Sequence, residues 1–175
     1  MKTINELTEK IGINHLNEMQ GAVVKAIQHT NDNIMVLSPT GSGKTLAYIL
    51  PLVCMVDSAS DDLQAIVIVP GRELALQSLN VLRSLGNDVR GYACYGGRPT
   101  MDEHRQLRQL KPHIIFATPG RMNDHIDKDN VDVDSVKWII IDEFDKCLEM
   151  GFHEEMSYLI NRLPFKARQI LLSAT

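Results

Sequence analysis

A chain of 175 residues, 44% hydrophobic and 23% charged, has the make-up of one ordinary globular domain with enough length to bury a core. No apolar run reaches membrane-spanning length, and the three cysteines (Cys54, Cys94, Cys147) form no C-x-x-C pair, which excludes a transmembrane helix, a zinc knuckle and a disulfide framework. The net charge of −4 argues against nucleic-acid binding through a broad basic surface, but leaves binding through helix N-termini and a few arginines open.

Taken in order, Thr3-Ile4-Asn5-Glu6 has capping-box spacing and predicts a first helix ending near Gly12. No secretory h-region is present there, so the expectation is a cytoplasmic protein with no membrane partner. Asn17 to Gln20 repeats the capping box and starts a second helix through about His29. Ile34 to Leu37 is a short buried strand, and the Gly/Ser-rich bend after it leads to a helix over Leu46 to Val56. Further strands are predicted at Leu63–Val69, Val89–Tyr95, His113–Ala117, Val136–Ile141 and Gln169–Leu172. Helices are predicted over Arg72–Leu85, over Thr100–Leu110, following the stop at Thr118-Pro119-Gly120-Arg121 to about Asp127, and after Asp145 with a break near Gly151. Short β-branched runs alternating with helices predict an α/β fold, a mostly parallel sheet with helices on both faces.

A parallel sheet presents ligands at the carboxyl ends of its strands. Each unusual short segment of this chain follows a strand, so all of them are expected along one rim. Ser38 to Thr45 has the form of a phosphate cradle: Thr40, Gly41, Ser42 and Gly43 bring backbone N–H groups to phosphate oxygens. Lys44 supplies a mobile charge and Thr45 a hydroxyl for magnesium. Ser38 stands where the strict pattern has glycine. The apolar run Trp138 to Ile141 delivers Asp142 and Glu143, a metal-holding acid and a base for the attacking water. Gln20 has two readings, a capping-box residue favoured by its spacing from Asn17 and an adenine-recognising amide. Pro70-Gly71-Arg72 and Thr118-Pro119-Gly120-Arg121 read equally well as plain helix starts or as anion sites. Gly96-Gly97 permits a close backbone approach, as to the spaced phosphates of a nucleic-acid strand.

In this order and spacing, these residues resemble the N-terminal RecA-like domain of a DEAD-box ATP-dependent RNA helicase, over residues 12–175. The resemblance accommodates Ser38, since the family's loop has Ala or Ser there. It implies a RecA-like P-loop NTPase fold over 1–175, with 1–30 as a helical segment carrying the Q motif, and ATP and Mg2+ as cofactors. Gln20 would contact adenine. Glu143, Lys44 and Asp142 would be catalytic, and Thr45 and Asp142 would hold the metal largely through water. Pro70, Gly71, Arg72, Gly96, Gly97, Thr118, Gly120 and Arg121 would grip an RNA backbone. Asp145, Ser173 and Thr175 would link nucleotide state to unwinding. The implied partners are RNA and a second RecA-like domain of the same protein, which supplies arginines to the γ-phosphate, so that the 175 residues alone are expected to be nearly inactive. Four positions depart from the family pattern: Thr3-Ile4 where an aromatic is usual, Leu16 for Pro, Gly71 for Thr and Phe144 for Ala. Rival readings are an ATP-gated RNA clamp with slow turnover, a DNA translocase of the same superfamily, and a P-loop enzyme acting on a small molecule.

Overall fold

Among the described residues six short runs, most of them rich in Ile and Val, form the strands β1 (Ile34–Leu37), β2 (Ala65–Ile68), β3 (Gly91–Cys94), β4 (Ile114–Ala117), β5 (Trp138–Ile141) and β6 (Arg168–Ser173). The structure is a computed structural model that describes residues 2–175; Met1, the start of the predicted segment 1–30, lies outside the described residues. The sheet is wholly parallel, in the order β1-β6-β5-β2-β4-β3. Among the described residues eight helices flank it: α1 (Ile4–Lys10), α2 (Glu18–His29), α3 (Lys44–Met55), α4 (Arg72–Ser84), α5 (Thr100–Leu110), α6 (Pro119–Asp127), α7 (Phe144–Glu149) and α8 (His153–Arg162).

Side chains alternate faces along each strand, and the two faces collect different helices. Ala65, Val67, Ile114, Phe116, Ile140 and Ile170 pack with α1 to α4. Ile66, Ile68, Ile115, Ile139 and Ile141 pack with α5 to α8, including Cys147 of α7 and Met156 and Leu159 of α8. The first four helices therefore cover one face and the last four the other. Every position of β2, β4 and β5 is buried, which is why these strands read as unbroken apolar runs. Cys54, Cys94 and Cys147 are buried free thiols, as their apolar contexts predict.

Several predicted boundaries move. The ladders of β2, β3, β4 and β5 stop short of the apolar runs, because Leu63, Val69 and Val136 are buried in the core without being part of a strand. The last strand is longer than predicted, since Arg168 and Ser173 join it. Helix α3 begins two residues earlier than predicted: Gly43, in the left-handed region at φ 86, is its N-cap, so Lys44 and Thr45 already belong to the first turn. Strand β3 has weak propensity because Gly91 has a packing role. A Cβ there would meet Leu82 Cδ2 at 2.4 Å and Leu79 Cδ1 at 3.1 Å, so α4 lies directly on its backbone.

Both predicted capping boxes form, Thr3 with Glu6 and Asn17 with Gln20. The far end of α2 is held from the sheet. Buried Arg168 donates to the carbonyls of Ala26 (2.9 Å) and Ile27 (2.6 Å) in the last turn of α2 and to that of Asp32 (2.6 Å) in the turn beyond it, placing a cation at the helix C-terminus. This fixes the helix that carries Gln20 relative to β6. Strand β1 forms one edge of the sheet, and its Met35 and Leu37 are exposed.

Candidate functional site

Strand order divides the rim in two. Neighbouring strands β1, β6 and β5 deliver the Ser38–Thr45 loop, the Ser173–Thr175 segment and Asp142–Asp145 to one half. Strands β2, β4 and β3 deliver Pro70–Arg72, Thr118–Arg121 and Gly96-Gly97 to the other. A backbone bond from Ser38 N–H to the Ser173 carbonyl (3.0 Å) ties the first loop to its neighbour.

In the first half, a cleft of about 360 Å³ is lined by Thr40, Gly41, Gly43, Lys44 and Thr45 on one side and by Asp142, Glu143 and Asp145 on the other. A larger concavity of about 560 Å³ lies where the chain enters β2, β5 and β6, the opposite edge, and holds none of these residues. Thr45 and Asp142 meet across the cleft: the Thr45 hydroxyl donates to Asp142 Oδ2 at 3.4 Å, and the Tyr48 hydroxyl donates to the same oxygen at 3.2 Å. Asp142 Oδ1 accepts from the Glu143 N–H at 2.9 Å. Burial pushes the Asp142 carboxyl above the usual carboxylate range, and the neighbouring Glu143 charge adds to that, against the pull of these donors. Burial and the Asp142 charge together push the Tyr48 phenol well up, so it stays a donor.

Glu143 is the N-cap of α7 with φ 51, a left-handed conformation uncommon for non-glycine residues and shared among the described residues with Lys111 and Asp129, neither of which lies at the rim. The turn sends Asp142 into the protein and leaves Glu143 at the cleft wall, partly exposed, with Lys146 Nζ at 3.4 Å. Phe144, the departure next in sequence, packs onto the α5–α8 face of the sheet. Lys44 is folded across its own loop and donates to the Ser38 and Pro39 carbonyls, the latter at 3.0 Å.

Of the two sequence readings of Gln20, the capping box is seen directly. Its Oε1 accepts from the Asn17 N–H (3.1 Å), completing the capping box, and its Nε2 donates to the Gly43 carbonyl (3.2 Å). A side-chain amide has two donors and two acceptor lone pairs, so one of each is left. Behind the cleft, the Thr175 hydroxyl donates to Asp145 Oδ2 at 3.2 Å, and Ser173 Oγ donates to the Thr175 carbonyl at 2.8 Å.

In the second half, Gly71 is the N-cap of α4 and Thr118 that of α6, and neither makes a side-chain cap bond. A Cβ at Gly71, Gly96, Gly97 or Gly120 would meet nothing within 4 Å, so each backbone faces open space. The arginines differ. Arg72 is exposed and lies over the Tyr95 ring at 5.2 Å. Arg121 turns inward: it donates to Thr100 Oγ1 (3.2 Å), Glu103 Oε1 (3.2 Å) and the Arg98 carbonyl (3.0 Å).

Three participants escaped the sequence reading. Tyr48 stands three residues after Thr45, hence on the same helix face, and that spacing was the available signal. Glu103 sits in a charged helix that reads as a solvated face, yet it is fully buried. Its partner Arg98 carried no local signal.

A model of the DEAD/DEAH box helicase family matches residues 17–175. The ATP-dependent RNA helicase CshA of Limosilactobacillus reuteri is 43% identical over 140 residues, covering 78% of this chain and 28% of that protein. The DEAD-box ATP-dependent RNA helicase CshA of Bacillus subtilis is 36% identical over 100% of this chain and 35% of its own length. Among solved structures, a DEAD box protein from Methanococcus jannaschii superposes with a TM-score of 0.93 at 30% identity, over 100% of this chain and 48% of that one. A hypothetical ATP-dependent RNA helicase from Sulfolobus tokodaii gives 0.87 at 30% identity, over 98% and 50%. The chain spans between 26% and 36% of the length of the curated relatives it matches. With its motifs on one rim of a parallel sheet in these positions, the chain belongs to the DEAD/DEAH box helicase family and has the fold of that family's RecA-like domain.

Proposed function

We propose that the chain is the ATP-binding lobe of a cytoplasmic RNA-dependent ATPase that locally separates RNA duplexes, and that residues 1–175 form one such lobe. The observation that carries this reading is the convergence of Lys44, Thr45, Asp142 and Glu143 on one cleft, beside a second half-rim of open glycine backbones. Lys44 moves from the Ser38 and Pro39 carbonyls to the outer phosphates, while the N–H groups of the loop and of the α3 start cradle the others. Glu143 orients the attacking water and takes its proton. Gln20 uses its remaining donor and acceptor on adenine. The Thr175–Asp145 contact reports the state of the cleft to the Ser173 segment.

The residues also fit magnesium. Asp142 is a buried carboxylate with no cationic partner among the described residues, and the only hydroxyls on it come from Thr45 and Tyr48. A hard cation held by oxygen ligands suits that set. Thr45 and Asp142 would hold it, Asp142 largely through water; when bound, it neutralises charge on the phosphate oxygens.

In the second half, the backbone N–H groups at Gly71, Gly96, Gly97 and Gly120, with Pro70, Arg72, Thr118 and Arg121 shaping the turns, receive an RNA backbone with little sequence preference. A second RecA-like domain completes both sites. Missing transition-state arginines cost on the order of a thousandfold in related NTPases, so the 175 residues alone hydrolyse ATP very slowly. The test is Lys44→Ala, with nucleotide binding measured by calorimetry: binding is lost, and an unchanged affinity would overturn the phosphate-loop assignment.

A further inference from the structure

One carboxylate organises the second half of the rim. Glu103 of α5 is fully buried, and both of its oxygens are crowded with donors. Oε2 accepts from the Tyr95 N–H (3.1 Å) and from Arg98 Nε (3.1 Å) and Nη2 (2.8 Å). Oε1 accepts from Arg121 Nη1 (3.2 Å) and His125 Nε2 (2.8 Å). Tyr95 and Arg98 bracket Gly96-Gly97, while Arg121 and His125 belong to α6, the helix that starts at Thr118-Pro119-Gly120. The two guanidiniums then lock onto the backbone: Arg98 donates to the Ala93 carbonyl (2.6 Å), and Arg121 to the Arg98 carbonyl (3.0 Å). The Arg98 guanidinium also lies over the Tyr95 ring at 4.0 Å.

We infer that Glu103 is a positioning residue for RNA binding: it clamps the Gly96-Gly97 loop and the start of α6 into one frame and turns Arg98 and Arg121 inward, away from phosphate. The phosphate ligands of this half are then backbone N–H groups, and its free guanidinium is Arg72, exposed and without an ion pair among the described residues. The alternative use of the cluster is a metal site, since Cys94, Glu103 and His125 hold ligand atoms within 4.8 Å of one another. The geometry opposes it. Two guanidiniums already occupy the carboxylate, His125 Nδ1 accepts from the Asn130 amide (3.0 Å), and burial, reinforced by the Glu103 charge, keeps the Cys94 thiol protonated.

This inference rests on the RNA reading of the rim, and one experiment separates the two. The isotopically labelled 175-residue chain is titrated with a uridine decamer at several salt concentrations, following the amides of Gly96, Gly97 and Gly120 by NMR. Absence of any shift in the unmodified chain would overturn the RNA reading and this inference with it. If the rim amides respond, removing a direct phosphate ligand lowers the slope of log affinity against log salt by about 0.7 for a single strand. Arg72→Met is expected to show that drop. Arg121→Met is expected to weaken binding with the slope unchanged; a drop of about 0.7 there would make Arg121 a phosphate ligand and overturn the inference alone. Glu103→Gln is expected to weaken RNA binding by about tenfold, the equivalent of one misaligned hydrogen bond, with Mg-ADP affinity unchanged. Equal losses for RNA and nucleotide would reduce Glu103 to a residue of the fold. Arg121→Met leaves Glu103 paired with Arg98 and His125, so it decides the matter should Glu103→Gln fail to fold.

Discussion

Gly43→Ala tests how α2, which carries Gln20, is coupled to the Ser38–Thr45 loop. Gly43 holds φ 86, where an L-residue costs roughly 1–2 kcal/mol. Its new Cβ would stand 2.3 Å from Gln20 Nε2 and 3.3 Å from Cδ. That contact is with the end of a side chain, so Gln20 can swing away, but it then gives up its bonds to the Gly43 carbonyl and the Asn17 N–H, at about 0.5–1.5 kcal/mol each. The sum is about 3 kcal/mol, which for a chain of this size lowers Tm by about 6–12 °C. Gln20→Ala alone loses those two bonds and costs about 2 kcal/mol. In the double variant the bonds are already gone and the clash is relieved, so only the backbone cost of about 1–2 kcal/mol is added. A double-mutant cycle by urea unfolding without nucleotide is therefore expected to show a coupling of about 1–2 kcal/mol. Additive effects within 0.5 kcal/mol, the usual scatter for independent sites, would refute the contact.

Asp142→Asn is expected to raise the Tm of the nucleotide-free chain while abolishing further stabilisation by Mg-ADP. A carboxyl with a raised folded pKa binds more protons folded than unfolded, so its ionisation opposes folding as pH rises; a lowered Tm at neutral pH would contradict this. Burial alone would raise the Glu103 carboxyl, but the donors from His125, Tyr95, Arg98 and Arg121 outweigh it and hold it below the usual range. Its contribution is thus complete above the ordinary glutamate range and is lost as pH falls through the folded pKa. Glu103→Gln is expected to cost about 3 kcal/mol at neutral pH, the low end for a broken buried pair because the Arg98 side chain stays 33% exposed. Unfolding measured against pH is expected to show that gap narrowing in acid, and a constant gap would refute the assignment. Ser78 Oγ is buried near the Tyr48 hydroxyl but outside hydrogen-bond geometry with any described residue, so Ser78→Ala is expected to be neutral or mildly stabilising by urea unfolding; a loss above about 1 kcal/mol would mean that the two hydroxyls are in fact bonded.

The rim was legible in the sequence because each of its parts is local. Gly43 and Lys44 sit together at one strand end, Asp142 and Glu143 at another, and rules of strand, turn and helix start act over a few residues. Strand order is not local: nothing in the spacing of Val67, Phe116 and Ile140 says that β5 lies beside β2, or that β6 inserts between β1 and β5. Without the order, the motifs shared a rim but had no neighbours. Glu103 was illegible for a related reason. In a helix rich in charge, burial of one carboxylate depends on Arg98 from the preceding loop and on Arg121 and His125 from a helix 18 to 22 residues away, and periodicity carries no trace of such partners. Gln20 shows the converse, where one local rule was satisfied and a second contact to Gly43 was added by the fold.

Strand order also explains why one helix can serve both halves of the rim. Strand β2 stands between β5, which bears Asp142, and β4, which bears Thr118, so α4 leaves the rim at its centre. Its first residue, Arg72, faces the glycine half and lies over Tyr95. About half a turn and about one and a half turns later, Leu74 and Gln77 line the same cleft as Lys44. Ser78, next in sequence, is buried close to the Tyr48 hydroxyl, which holds Asp142. A displacement of this one rigid helix would therefore act on the exposed guanidinium, the cleft wall and the surroundings of the Asp142 carboxylate together. The Ser38–Thr45 loop runs straight into its own helix, since α3 begins at Lys44 and carries Thr45 and Tyr48 on the face turned toward Asp142. The two halves are joined through the packing of α4 on α3, with Tyr48 fully buried between them and the sheet.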